Sequence, residues 1–114
     1  MAKNRDELII KCWVGRKGEK PVKDWIAELD DQSFKQIDKL LAMLRQERQD
    51  LGMPYTRHLG DGLFELRDQR QSGPGYRVYY CWEGDLLVVL LIGGDKSSQD
   101  KDIRVARKRM NCEE

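Results

Sequence analysis

The sequence predicts an α+β fold in the order β-α-α-β-β-β-α, with a helical hairpin packed on an antiparallel sheet. Three observations predict it. Two adjacent amphipathic patterns run from Pro21 to about Gln49, three short strand patterns with tight turns run from Leu63 to Ile92, and a helical pattern closes the chain.

The first strand is Glu7–Val14, ELIIKCWV, rich in β-formers and ended by Gly15. Residues 15–20 are polar, hold two glycines and read as a loop. Pro21 suits a first helical turn because its missing N–H would have no partner there. Val22, Trp25, Ile26 and Leu29 then fall at i, i+3, i+4 and i+7, one face of a helix. Asp31 or Ser33 can cap a second helix, in which Phe34, Ile37, Leu40, Leu41 and Leu44 share a face. It stops before Gly52 and Pro54.

The strands follow as Leu63–Gln69, Tyr76–Trp82 and Asp85–Ile92. The turns between them, at 71–75 and 83–85, are too short for parallel crossovers, so these three strands are antiparallel. Ser97 and Asp100 resemble a capping box for a last helix from about Ser98 to Met110, which buries Ile103, Ala106 and Met110. Residues 111–114 are expected to fray.

The 114 residues suit a single domain spanning 1–114. Charged residues make up 36%, yet the formal net charge is only +1, so a polyanion site must be a local patch. Cys12, Cys81 and Cys112 are widely spaced and odd in number, which points to reduced thiols rather than a disulfide frame or zinc site. The N-terminus lacks a signal-peptide pattern, and no apolar run has membrane-spanning length. A cytoplasmic protein with no membrane association is expected.

Strand alternation sorts the chemistry-bearing residues. Phe64 and Leu66 point one way, toward the helices with Tyr76, Val78 and Tyr80. Glu65, Arg67, Arg77 and Tyr79 then share the other, open face. The plain reading is a solvated face with a cross-strand Glu–Arg pair; the functional reading is an anion site. His58, the only histidine, lies just before the strand at Leu63. It is either a surface loop residue or the group suited to proton transfer near neutral pH. Its partner would then be Glu65, Asp95, Tyr79 or Lys96. Gly93-Gly94-Asp95-Lys96 joins a buried strand to a helix start, a strand-to-helix turn that could also favour anions. Lys101, Arg104, Arg107, Lys108 and Arg109 make the last helix basic, a solvated face or a nucleic-acid contact. Trp13, Trp25 and Trp82 read as packing aromatics.

Three segments in order, DGLFELR at 61–67, GPGYRVYY at 73–80 and LLIGGDKSSQDKDI at 90–103, resemble the RelE/ParE superfamily of type II toxin–antitoxin toxins. The HigB-like "addiction module killer" branch, phage-related in part, is the nearest pattern. The V-x-x-W-I-x-x-L helix at 22–29 agrees with it. The resemblance implies a helical hairpin against a curved sheet. It implies metal- and cofactor-free mRNA cleavage, often on the ribosome, by attack of the ribose 2′-OH on the adjacent phosphate. Arg77 matches the family's phosphate-holding arginine, Arg67 a basic position on the preceding strand, and Lys96 a basic or histidine position after the last strand. With His58 and Glu65 these form the expected catalytic set. Arg57, Tyr79, Arg70 and Lys101 form the expected RNA-contacting set. The resemblance also implies an antitoxin partner, of the helix-turn-helix kind and encoded next door, in a hetero-oligomer, with mRNA and ribosome as further partners. Two departures stand out: Leu63 and Glu65 occupy strand positions where RelE carries lysines, and a C-terminal catalytic tyrosine or histidine is missing. The superfamily also includes ParE-like gyrase poisons, and a decayed toxin fold would only bind its antitoxin.

Overall fold

The computed structural model describes residues 6–111. Cys112 and the expected fraying from 112 onward lie outside the described residues. The order is β1 (Ile9–Cys12), α1 (Pro21–Ala27), α2 (Asp31–Glu47), β2 (Thr56–Gly60), β3 (Leu63–Arg67), β4 (Arg77–Glu83), β5 (Leu87–Gly94) and α3 (Gln99–Met110), with short 3₁₀ turns before β2 and before α3. The α+β class and the hairpin of helices match the expectation. The sheet holds five strands in the order β1-β5-β4-β3-β2. The pairs β2–β3, β3–β4 and β4–β5 are antiparallel, but β1 lies parallel to β5. The sheet is therefore mixed.

β2 forms over a stretch that carries no strand pattern in the sequence. It is a short edge strand with Arg57 and His58 exposed, so it carries no apolar alternation. Its signal is the turn after it. Asp61 and Gly62 both take positive φ, 53° and 85°, and join Gly60 to its partner Leu63. Aspartate then glycine is the pair that a two-residue hairpin turn with left-handed backbone favours.

The caps differ from those expected: Lys20 before α1 makes no side-chain cap, and the capping box near α3 closes the 3₁₀ turn that leads into it. Asp30, not Asp31 or Ser33, caps α2, accepting from the Ser33 amide at 2.7 Å. Asp95 accepts from the Ser97 amide at 2.8 Å, and the Asp95 amide donates to Ser98 Oγ at 3.3 Å. The capping box thus belongs to Asp95 and Ser98 rather than Ser97 and Asp100.

The sheet is covered on both faces. Val22, Ile37, Leu40 and Leu44 of α1 and α2 pack on Leu66, Val78, Tyr80, Val88 and Leu90. Ala106, with Ile103 and Met110, packs on Leu63, Tyr79, Cys81, Val89 and Leu91 from the other side. The face expected to be open is thus roofed over much of its length by α3. Cations hold that roof down. Arg107 donates to the carbonyls of Leu59 and Gly60 at 3.0 and 3.3 Å. Arg109 donates to the Leu91 carbonyl at 2.8 Å and lies 4.4 Å above the Trp13 ring. These two arginines of the basic helix bind protein, not solvent.

A bulge links the strand register to the two glycines. Tyr79 pairs with Ile92 and Tyr80 with Leu90, so Leu91 is the extra residue. Beyond it Gly93 faces α1 and Gly94 faces α3. A Cβ on Gly93 would stand 2.3 Å from the Trp25 ring, and one on Gly94 would stand 1.9 Å from Asp102 Oδ2. The Gly-Gly pair therefore serves close packing on two opposite faces, one helix to each. Gly93→Ala and Gly94→Ala are each expected to destabilise by about 1–3 kcal/mol through overpacking. Gly52→Ala, with nothing within 4 Å of the added methyl, should stay within about 0.5 kcal/mol of the parent. Urea unfolding midpoints of the three variants check this.

Candidate nucleic-acid interface

Two rows of side chains cross the α3 face of the sheet. Arg57, Glu65, Tyr79 and Ile92 are register partners from β2 to β5, and Arg67, Arg77 and Gly94 are partners in the next row. Adjacent rows put Glu65 at the centre of three arginines. Its Oε1 lies 3.5 Å from Arg67 Nε, 3.8 Å from Arg57 Nε and 3.9 Å from Arg77 Nη1. Gln99, the first residue of α3, donates to Glu65 Oε2 at 2.8 Å. The Glu65 side chain is 1% exposed, and those of Arg77, Arg67 and Arg57 are 8%, 28% and 49% exposed. The guanidiniums thus form a ramp from the interior to the surface.

The cluster is loosely satisfied. Glu65 Oε1, Arg67 Nε, Arg77 Nε and the Tyr79 hydroxyl are buried without a hydrogen-bond partner. Three guanidiniums face Glu65, and a second buried carboxylate, Asp102, lies beside Gly94 at the same end of the sheet. An arginine whose N–H groups are aimed but unbonded can donate to an incoming oxyanion without first breaking a hydrogen bond. The chemistry available is therefore oxyanion binding and stabilisation of developing negative charge.

The other expected residues divide. Lys96 lies exposed at this end of the sheet, two residues after Gly94, with its chain across Gly75. His58 does not join the cluster. It is the register partner of Phe64, so it projects from the opposite face to Arg57 and Glu65. Its ring stacks on Phe64 at 4.6 Å, Phe64 stacks on Tyr80 at 5.4 Å, and its Nε2 accepts from the Gly62 amide at 3.2 Å. The histidine braces the β2–β3 hairpin. Tyr79 is on the right face but fully buried, so its ring offers no stacking platform. Arg70 is engaged by Asp68, at 2.7 Å between Nη2 and Oδ2, and by Ser33 Oγ at 3.1 Å. That pairing ties the 68–70 loop to α2 and holds the arginine above its usual pKa, the Asp68 hydrogen bonds being the largest cause. Lys101 is exposed on α3. Asp95, a proton-transfer candidate in sequence, is occupied by capping, and its hydrogen bonds with Ser97 hold its carboxyl below the usual range. Gln99 was missed, because a neutral amide at a helix start carries no signal of its own.

A cleft of about 230 Å³ lined by Trp13, Cys81, Val89, Leu91 and Arg109 shares no residue with the arginine cluster. Cys12 and Cys81 are not joined by a disulfide. Among the described residues no three His, Cys, Asp or Glu side chains gather as a metal ion requires. No helix among them is long and apolar enough to cross a membrane.

A helical hairpin packed on a small mixed sheet agrees with the fold of RelE-like toxin domains. The chain belongs to the family of phage derived proteins described as Gp49-like (DUF891), toxins of toxin–antitoxin modules, whose profile matches residues 24–111. It is 55% identical over 49 residues to an uncharacterized protein of Haemophilus influenzae, a match spanning 43% of this chain and 48% of the relative. The chain thus spans about half the length of that relative. It is 24% identical over 94 residues to a Mycobacterium tuberculosis protein named "Putative toxin HigB3", covering 77% of this chain and 82% of that one.

The two buried tyrosines separate packing from hydrogen bonding. Burial foremost raises the pKa of both Tyr79 and Tyr80; the charge of Glu65 adds to it at Tyr79, while the Thr56 hydrogen bond opposes it at Tyr80. An unfolded chain ionises its tyrosines near pH ~10. The unfolded state therefore loses protons first, and stability falls as pH rises above that value. Either Tyr→Phe change should flatten this alkaline loss. At neutral pH the two differ. Tyr80→Phe strands the buried Thr56 hydroxyl, now 2.7 Å from Tyr80 Oη, and should cost about 1–2 kcal/mol. Tyr79→Phe removes a buried hydroxyl set beside the weakly engaged Glu65 carboxylate, and should cost less than Tyr80→Phe. Urea titrations at neutral and alkaline pH check both.

Proposed function

We propose that this protein is the toxin of a toxin–antitoxin module, acting in the cytoplasm as a metal- and cofactor-independent endonuclease on mRNA at the translating ribosome. The observation that carries the reading is the convergence of Arg57, Arg67 and Arg77 on the one carboxylate of Glu65. In the proposed reaction the ribose 2′-oxygen bonds to phosphorus and the P–O5′ bond breaks. The 2′ proton is released and the 5′ oxygen takes one up, leaving a 2′,3′-cyclic phosphate and a 5′-hydroxyl. The arginines bear the charge of the phosphorane between these states. Arg77 is the most buried of the three, Arg67 and Arg57 meet the flanking phosphates, and Lys96 and Lys101 extend the basic edge. The family membership supports an antitoxin partner; a helix-turn-helix protein encoded next door is the proposed one. A net charge of +1 gives little unaided hold on a polyanion, which favours ribosome-bound mRNA over free RNA.

The low exposure of Arg77 favours a second reading, a gyrase-directed toxin that cleaves nothing. Toxicity with gyrase-dependent DNA breaks and intact mRNA would establish it in place of the first.

The test is expression without a partner in bacteria, followed by mapping of mRNA ends. Growth arrest, chelator-resistant cleavage and 2′,3′-cyclic phosphate ends are expected. Arg77→Ala should lower cleavage on the order of 10²–10³-fold, as removal of one preorganised charge donor does. His58→Ala should weaken the hairpin and leave cleavage in the folded protein unchanged, since His58 stands on the opposite face. Products with 3′-hydroxyl ends, or a folded Arg77→Ala variant as active as the parent, would remove the reading.

A further inference from the structure

Glu65 is an unusual residue for a site that must attract phosphate. It is buried, it faces the three arginines, and it puts a negative charge where the ligand's own charge belongs. A carboxylate serving only to neutralise arginines would form paired, parallel hydrogen bonds with them. Here the three nitrogen–oxygen separations are 3.5–3.9 Å, and Oε1 accepts no hydrogen bond. Only Oε2 is bonded, and its donor is the neutral amide of Gln99. The carboxylate is fixed by α3, while the guanidiniums are drawn toward it without being bound.

We propose that Glu65 is a resident counter-anion: it keeps the three guanidiniums converged in the empty site and competes with a phosphodiester for them, so that it sets the site's affinity. The proposal rests on the reading of the cluster as a phosphodiester site. Glu65 is a positioning residue here, acting through Arg57, Arg67 and Arg77. Gln99 holds Glu65 in place, so the first turn of α3 is part of the device. Replacing the carboxylate by its amide removes the competing charge and also loosens the convergence. Binding should tighten while turnover falls, a split that loss of structure alone does not produce.

The probe is a short single-stranded 2′-O-methyl oligoribonucleotide, which the proposed reaction cannot cut. Its binding to the full chain is measured across a salt series. Glu65→Gln is expected to bind on the order of five- to tenfold more tightly at low salt. Its log K against log salt should be steeper by about 0.7, the increment for one further phosphate neutralised on a single strand. Asp85→Asn, the same charge change in the β4–β5 turn, should match the parent. Equal or weaker binding by folded Glu65→Gln, or an equal gain in Asp85→Asn, overturns the proposal. Should Glu65→Gln fail to fold, Gln99→Glu decides at a half-exposed site: a second carboxylate there should weaken binding and flatten the slope, and unchanged binding overturns the proposal. A parent that binds no oligonucleotide at low salt also overturns it. Cleavage of mRNA with no effect of Glu65→Gln on binding would sink this inference alone. The expected binding shifts without any cleavage would sink the nuclease reading alone.

Discussion

Val88, Val89, Leu90 and Leu91 are all buried, and consecutive residues of a strand face opposite ways. The middle of β5 must therefore be covered on both sides of the sheet, and the other elements follow from that requirement. The α1–α2 hairpin covers one side and α3 the other. The chain between β5 and α3 has to cross from strand to covering helix at once, which places α3's first turn over the end of the sheet. That turn brings Gln99 onto Glu65, and Gly93 and Gly94 let the two layers approach the strand end. The arginine cluster is a product of how the second layer closes.

Much of this was legible. The alternation in LFELR and YRVYY sorted Glu65, Arg67, Arg77 and Tyr79 onto one face, and the register bears that out. The amphipathic stripe from Val22 to Leu44 defined the helical hairpin. The parallel docking of β1 was not legible, because a short strand far from its partner in sequence leaves no local trace. Nor was the roof formed by α3. Its apolar stripe is thin, only Ala106 with partly buried Ile103 and Met110, and its arginines read as solvated when they in fact bind carbonyls and an indole. The unbroken apolar run of β5 held the clue, since a strand with no polar side needs two covers. His58 was misplaced for a simpler reason: an unrecognised strand has no assignable faces.

The basic residues of α3 show why formal charge is a poor guide here. Arg107 and Arg109 satisfy backbone carbonyls that a sheet end would otherwise expose, and their charge is spent inside the protein. Burial pulls Arg109 below the usual guanidinium pKa. Of the basic residues of α3, Lys101, Arg104 and Lys108 stay exposed, and Lys96 stands exposed beside the cluster. A small net charge and a concentrated cationic site therefore coexist.

The pairing of β1 with β5 has a consequence for synthesis. β1 emerges from the ribosome long before its sheet partner Leu87–Leu90. α3 comes later still. A nascent chain that stops before β5 has a β1 with nothing to join, and one that stops before α3 has a sheet whose second apolar face is bare. Contacts so distant along the chain form slowly, because loop closure precedes their reward. The arginines also stand without Gln99 to hold Glu65 until α3 has been made. The site is thus ordered only once α3 has been made, and a chain cut before α3 would expose apolar strands before it could present an ordered guanidinium cluster.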